Sequence, residues 1–167
     1  MGDEEREGAA RSQNVVLQGP ADARTMAAAM RPGVERSREV TESGAPACLV
    51  ITPTVEQALS AAEQARVLLA DDTSRVVPVS QVARARRVLG SGAVSVVTGT
   101  AADLLQLRKD SGMRIDGLRA VVIIGLDDIL AEGDAEALQA LLGDIPSEAM
   151  RVVTLDVESA QTDTFIE

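Results

Sequence analysis

Residues 118–130 read Leu118-Arg-Ala-Val-Val-Ile-Ile-Gly-Leu-Asp-Asp-Ile-Leu130. Val121 to Ile124 is a β-branched run with no polar alternation, the pattern of a strand buried on both faces in a parallel sheet. Gly125 ends the run, and Asp127 and Asp128 then stand where a helix begins, capping it and complementing its dipole. Working outward, Cys48-Leu-Val-Ile51 and Val94-Ser-Val-Val97 share this apolar character. The full set of expected strands is Asn14–Leu17, Ala47–Thr52, Arg75–Val79, Ala93–Thr98, Arg119–Ile124 and Arg151–Thr154.

Helical patterns separate them. Val55–Ala70 places Ala58, Ala62, Ala65 and Leu69 on one face, with Pro53-Thr54 as turn and N-cap. Ala101–Lys109 and Asp127–Leu142 read the same way, the second closed by Gly143 and Pro146. Thr25–Met30 reads as a helix halted at Arg31-Pro32-Gly33, with Val34–Thr41 resuming it. Strand and helix alternate, which specifies a doubly wound α/β domain with a mainly parallel sheet of about six strands. Ligand-bearing loops in such a sheet follow the strands, here at 18–25, 52–55, 79–82, 98–102, 124–128 and 154–158.

Composition bounds the chemistry. The 167 residues suit one domain, read as 13–167 behind a flexible polar arm at 1–12. With no histidine and one cysteine, Cys48, the common zinc and haem ligand sets and all histidine-based acid–base catalysis are excluded. A lone cysteine forms no internal disulfide and fits a reducing, cytoplasmic setting. Within an apolar strand, Cys48 is expected to be a buried, inert thiol. No apolar run reaches a membrane span of roughly 20 residues. The formal charge of −10 is uneven: residues 1–120 hold 15 acids and 15 bases, and residues 121–167 hold 11 acids and only Arg151. Such acidity opposes nucleic-acid binding, which requires neutralised phosphates, and marks residues 127–167 as an acidic docking or solubilising face.

The segments that follow the strands carry a resemblance. Val50-Ile-Thr-Pro-Thr-Val-Glu-Gln-Ala58 is similar to the Pro-Thr-Arg-Glu-Leu-Ala segment of DEAD-box RNA helicases, and 94–107 to their Gly-Thr-Pro-Gly-Arg-Leu-Leu segment. Residues 118–130 resemble the family's strand ending in Asp-Glu-Ala-Asp. The resemblance spans about 13–165 and implies the first, RecA-like domain of that family.

It also implies where a nucleotide site would lie. The phosphate loop falls on Ala21-Asp22-Ala23-Arg24-Thr25, where only Thr25 matches the family's Gly-Ser-Gly-Lys-Thr; alanines replace the wrapping glycines and Arg24 the lysine. The metal-holding Asp and the adjacent Glu fall on Ile124 and Gly125, and Asp127 matches the last Asp. Leu155-Asp156-Val157 takes the place of the family's Ser-Ala-Thr, so that Asp156 is expected near Asp127 with no hydroxyl to bridge them. The adenine-reading segment has no match in residues 1–13. On the RNA face, Thr54 and Thr100 match and can donate to phosphate, though both also read as helix N-caps. The cluster Arg84, Arg86 and Arg87 is a further contact for RNA or an acidic partner, or a set of helix-surface arginines paired with nearby acids.

The resemblance thus implies a domain with no catalytic residue, no metal site and no cofactor, ATP and magnesium binding being lost or weak. It is expected to serve as a protein-interaction or structural module. A chain ending near Phe165 is expected to lack the second RecA-like domain that the family's ATP site requires. The alternative is a residual RNA- or nucleotide-binding half of a helicase-like assembly. It would use Arg24 and Thr25 for phosphate and Thr54, Thr100 and Arg84–Arg87 for RNA.

Overall fold

The structure, a computed structural model, describes residues 14–20, 22–38, 44–70, 75–110 and 112–166. The expected arm at 1–12 lies outside them, as do Ala21 and residues 39–41 of the helix expected over Val34–Thr41.

Six strands form: β1 (Asn14–Gln18), β2 (Cys48–Thr52), β3 (Val76–Pro78), β4 (Val96–Thr100), β5 (Ala120–Ile123) and β6 (Met150–Leu155). They make one sheet in the order β1-β6-β5-β2-β4-β3, every pairing parallel. Each strand lies where the apolar runs place it. β4 starts three residues later than expected, at Val96, and ends two later, at Thr100, because the ladder with β2 continues to the Thr52–Thr100 pair. β2, β4 and β5 are buried at every position, as strands sandwiched between two helical layers must be. β1, at the sheet edge, is exposed along most of its length. At the opposite edge, β3 is three residues long and ends in Pro78, which has no N–H to offer a further strand.

One face is covered by α1 (Ala23–Arg36) and α2 (Val55–Leu68), whose buried side chains join Cys48, Val50, Val96, Val122 and Val152. The other face carries α3 (Val82–Gly90), α4 (Ala101–Lys109), α5 (Leu126–Ala131) and α6 (Ala135–Gly143), packed on Leu49, Ile51, Val97, Val121 and Ile123. A last helix, α7 (Ala160–Ile166), sets Phe165 against that second core. Cys48 is fully buried, and burial pushes its thiol up to about 12, so it is no nucleophile.

Two helix expectations are corrected. α1 runs through Pro32 without a break. Its buried residues Met26, Ala29, Met30, Gly33 and Val34 continue one stripe across the proline, so packing on the sheet outweighs one lost hydrogen bond. Ala28 and Pro32 share the exposed side, so the carbonyl that loses a helical N–H donor to the proline lies toward solvent and not toward the core. The expected helix Asp127–Leu142 is instead two helices. Gly133 adopts φ +86° between them, and its N–H donates to the Leu130 carbonyl while that of Asp134 donates to the Ile129 carbonyl. This is a Schellman stop, which a glycine accommodates without strain. Neither α3 nor α7 was delimited by periodicity, since both are short and rich in polar residues.

Gly33 marks the closest approach of α1 to the sheet. A β-carbon there would stand 3.0 Å from Ala120 Cβ and 3.2 Å from Cys48 Sγ. Replacing Gly33 by Leu is expected to destabilise the domain by about 1–3 kcal/mol through overpacking. Urea unfolding followed by far-ultraviolet circular dichroism measures it; an unchanged midpoint would refute the close-packing account.

Candidate functional site at the carboxyl ends of the strands

An all-parallel sheet delivers every loop after a strand to one end, so the segments after β1, β2, β4, β5 and β6 converge there. The turn after β1 is pinned by the Gly19 N–H, which donates to the Leu155 carbonyl at 2.9 Å. Asp22 then caps α1: its Oδ1 accepts from the Thr25 N–H at 2.9 Å. That hydrogen bond holds the Asp22 carboxyl below its ordinary value, with smaller help from Arg24. A fixed carboxylate therefore occupies the backbone donor at the helix N-terminus, where an anion would otherwise bind. Ala23 and Arg24 are exposed in the first turn of α1.

β5 ends on two residues without a polar side chain. Ile124 is fully buried and joins the core beneath α1, its N–H bonded to the Ile51 carbonyl at 2.8 Å. Gly125 takes φ +65° and ψ +59°, turning the chain into α5 in a conformation that favours glycine. Its buried N–H donates to Thr154 Oγ1 at 2.8 Å. One turn on, the Asp127 carboxylate accepts from the N–H groups of Asp156 (3.2 Å) and Val157 (3.1 Å), tying α5 to the loop after β6.

These contacts correct one expectation. Asp127 does not cap its own helix; backbone amides of the neighbouring loop satisfy it. The Thr154 hydroxyl, one residue before the triplet aligned with Ser-Ala-Thr, joins the two loops at Gly125. The expected proximity of Asp127 and Asp156 is seen, but backbone N–H groups lie between the Asp127 carboxylate and that loop. Asp128 remains in an acidic neighbourhood. Partial burial, then Asp127, Asp156 and Glu132, push its carboxyl up. Asp134 is pushed up likewise, by partial burial and then by Glu132 and Asp103. Among the described residues, no group of three or more Cys, Asp and Glu is arranged to hold a metal ion.

Both threonines that match the family's RNA face serve as N-caps. Thr54 Oγ1 accepts from the Gln57 N–H at 3.2 Å and donates to Gln57 Oε1 at 3.0 Å, while Thr100 Oγ1 accepts from the Asp103 N–H at 3.3 Å. Arg84, Arg86 and Arg87 are exposed on α3, and among the described residues no carboxylate pairs with them. Pairing with nearby acids is the expectation for this cluster and for a second one, Arg108-Lys109; it is seen at Arg108, which meets Asp144 at 3.2 Å. The arginines of α3 lie on the helix after β3, near the sheet edge, whereas Thr54 and Thr100 cap helices directly after β2 and β4.

The architecture has close counterparts among solved structures. A DEAD-box protein from the hyperthermophile Methanococcus jannaschii matches with a TM-score of 0.78 at 15% identity, over 91% of this chain and 41% of its own. The fold is the RecA-like domain of DEAD-box helicases. Saccharomyces cerevisiae Dbp5 gives the same result in two complexes. Bound to Gle1 and IP6 it matches with a TM-score of 0.70 at 16% identity, over 91% of this chain and 38% of its own. Bound to Nup159, Gle1, IP6 and ADP it matches with 0.71 at 15%, over 91% and 40%. The chain spans about two-fifths of the length of these solved chains. No protein-family model and no curated protein matches it.

Two substitutions probe this end of the RecA-like domain. Thr154→Val keeps the side-chain shape but leaves the buried Gly125 N–H without an acceptor, and is expected to cost about 1–3 kcal/mol; denaturant unfolding that matches the parent would show that the hydroxyl bridge is dispensable. For Asp128 the folded chain holds the proton more tightly than the unfolded chain. Stability therefore falls as pH rises past the ordinary carboxyl value of 3.8. Asp128→Asn removes that loss. Its thermal midpoint is expected to exceed the parent's at neutral pH, the gap closing below the ordinary value; an equal or lower midpoint at neutral pH would contradict the assignment.

Proposed function

We propose that this domain is a non-catalytic, DEAD-box-like RecA domain that acts as a protein-interaction or structural module, outside the enzymatic cycle of ATP hydrolysis. One observation carries the reading: the Asp22 carboxylate sits on the Thr25 N–H at the head of α1. A nucleotide phosphate approaching that helix N-terminus meets a negative charge already using the donor it needs. The rest of the end agrees with this. With the resemblance as guide, the metal and base positions fall on Ile124 and Gly125, an aliphatic side chain and none at all, which can neither hold a hydrated magnesium ion nor orient water. Ala23 and Arg24 stand for a glycine and the lysine of a phosphate loop. Ala21, the remaining member, is outside the described residues.

A protein partner is the natural user of a fold whose surface is retained while its chemistry is absent. The Dbp5 structures with Gle1 and Nup159 show that a protein with this fold engages proteins. The acidic lobe of residues 121–167 disfavours RNA there. A cytoplasmic setting fits the single free thiol, Cys48. Among the described residues no helix is long and apolar enough to cross a membrane. The second reading, a residual RNA- or nucleotide-binding half, draws on the exposed Arg84, Arg86 and Arg87.

Thermal unfolding with ATP and magnesium separates the two. A ligand at about a hundredfold excess over its Kd stabilises by about 2.7 kcal/mol. We expect no shift at millimolar nucleotide, and no salt-sensitive binding of a single-stranded RNA. A concentration-dependent rise in midpoint would sink the non-catalytic reading. The absence of tryptophan and tyrosine makes circular dichroism or calorimetry the readout.

A further inference from the structure

At the free edge of β3 the two helical layers part. α2 covers one face of the sheet there and α3 the other, and a groove of about 330 Å³ runs between them. Leu59 and Arg66 of α2 form one wall, Arg84 and Val88 of α3 the other, with Val76 and Pro78 at the floor. Leu59 is 43% exposed and Val88 41%, although both are large aliphatic side chains. Arg84 has no carboxylate partner among the described residues, nor has Arg87 one turn along α3. Arg66 is paired only with Glu63 of its own helix, which is 73% exposed. α3 also begins without a side-chain cap and with no acid in its first turn. In a chain of net charge −10, this is a cationic strip laid over aliphatic ground.

We propose that this groove docks a short acidic segment of a partner protein, its carboxylates meeting Arg84 and Arg66 and its aliphatic side chains covering Leu59 and Val88. Charge complementarity selects the partner: a guanidinium with no carboxylate paired to it among the described residues, as at Arg84, takes a carboxylate in forked, charge-assisted hydrogen bonds. The aliphatic walls select a peptide over RNA. Single-stranded nucleic acid is held by aromatic stacking as well as charge, and the only aromatic residue, Phe165, packs under α7, away from this groove. Pro78 makes the recognition one of side chains, because it denies an added strand the N–H it would need. The assignment deepens the interaction-module reading and rests on it, adding the site and the chemistry of the partner.

A phage-displayed library of random peptides, panned on the whole chain, tests it. Selected peptides are expected to be rich in Asp and Glu interleaved with Leu, Ile or Val. In fluorescence anisotropy, a labelled selected peptide should bind more weakly as salt rises. Arg84→Glu should weaken it by about tenfold or more, the loss of one charge-assisted contact, whereas Lys109→Glu, the same charge change on α4, should not. Selection of peptides without acidic bias, or binding indifferent to Arg84→Glu, would overturn the proposal. So would oligouridylate binding through Arg84 that the peptide does not displace, or an Arg84-dependent self-association in sedimentation, since either puts a different occupant in the groove. Thermal response to ATP with magnesium is read separately. A nucleotide shift alongside acidic-peptide binding would defeat the non-catalytic reading and leave the groove standing.

Discussion

The structure depends on the burial of β2, β4 and β5 on both faces. Backbone groups in such strands have no water to turn to, so each must be satisfied along the ladder. With all strands parallel, each connection must cross back over one face, and this places α1 and α2 on one side and the remaining helices on the other. The same constraint sends the loops after the strands to one end, before any residue there has a role. Gly33 lets α1 settle onto Cys48 and Ala120, and a larger residue would lift that helix from the strands it covers.

At the loop end, the polar groups are largely occupied with one another. Asp22 is taken by Thr25, Thr154 by Gly125, and Asp127 by two amides of the loop after β6. Thr54 and Thr100 are taken by their own helices. Such a surface is well ordered and offers few unsatisfied groups to a phosphate. The arginines of α3 present the opposite case, exposed charges to which no carboxylate is paired among the described residues.

The architecture was legible in the sequence where the signal was local and apolar. The runs at 48–51, 94–97 and 121–124 each fall in or next to a buried strand, and Thr54 and Thr100 were recognisable as caps from their position before helical periodicity. The DEAD-box-like order of segments could also be read, and the fold agrees with it. What was not legible depends on contacts distant in sequence. Pro32 looks like a break until the sheet beneath α1 is seen to hold the helix on both sides of it. The partners of Asp127 lie 29 and 30 residues away, as does the hydroxyl that Thr154 brings to Gly125 at a separation of 29. Gly133 could have been recognised as a helix stop, but a continuous apolar face on either side of it concealed the division. The groove at β3 was invisible because its walls come from α2 and α3, on opposite faces of the sheet.

The central claim is that the head of α1 is already occupied by Asp22. Amide hydrogen exchange at Thr25, followed by NMR with and without ATP and magnesium, tests it most directly. The account predicts that the Thr25 amide is protected in the free protein, loses that protection in Asp22→Ala, and is unchanged by nucleotide. Slower exchange or a shifted Thr25 resonance on adding nucleotide to the parent protein would contradict it, showing that phosphate displaces the carboxylate and that the site still works.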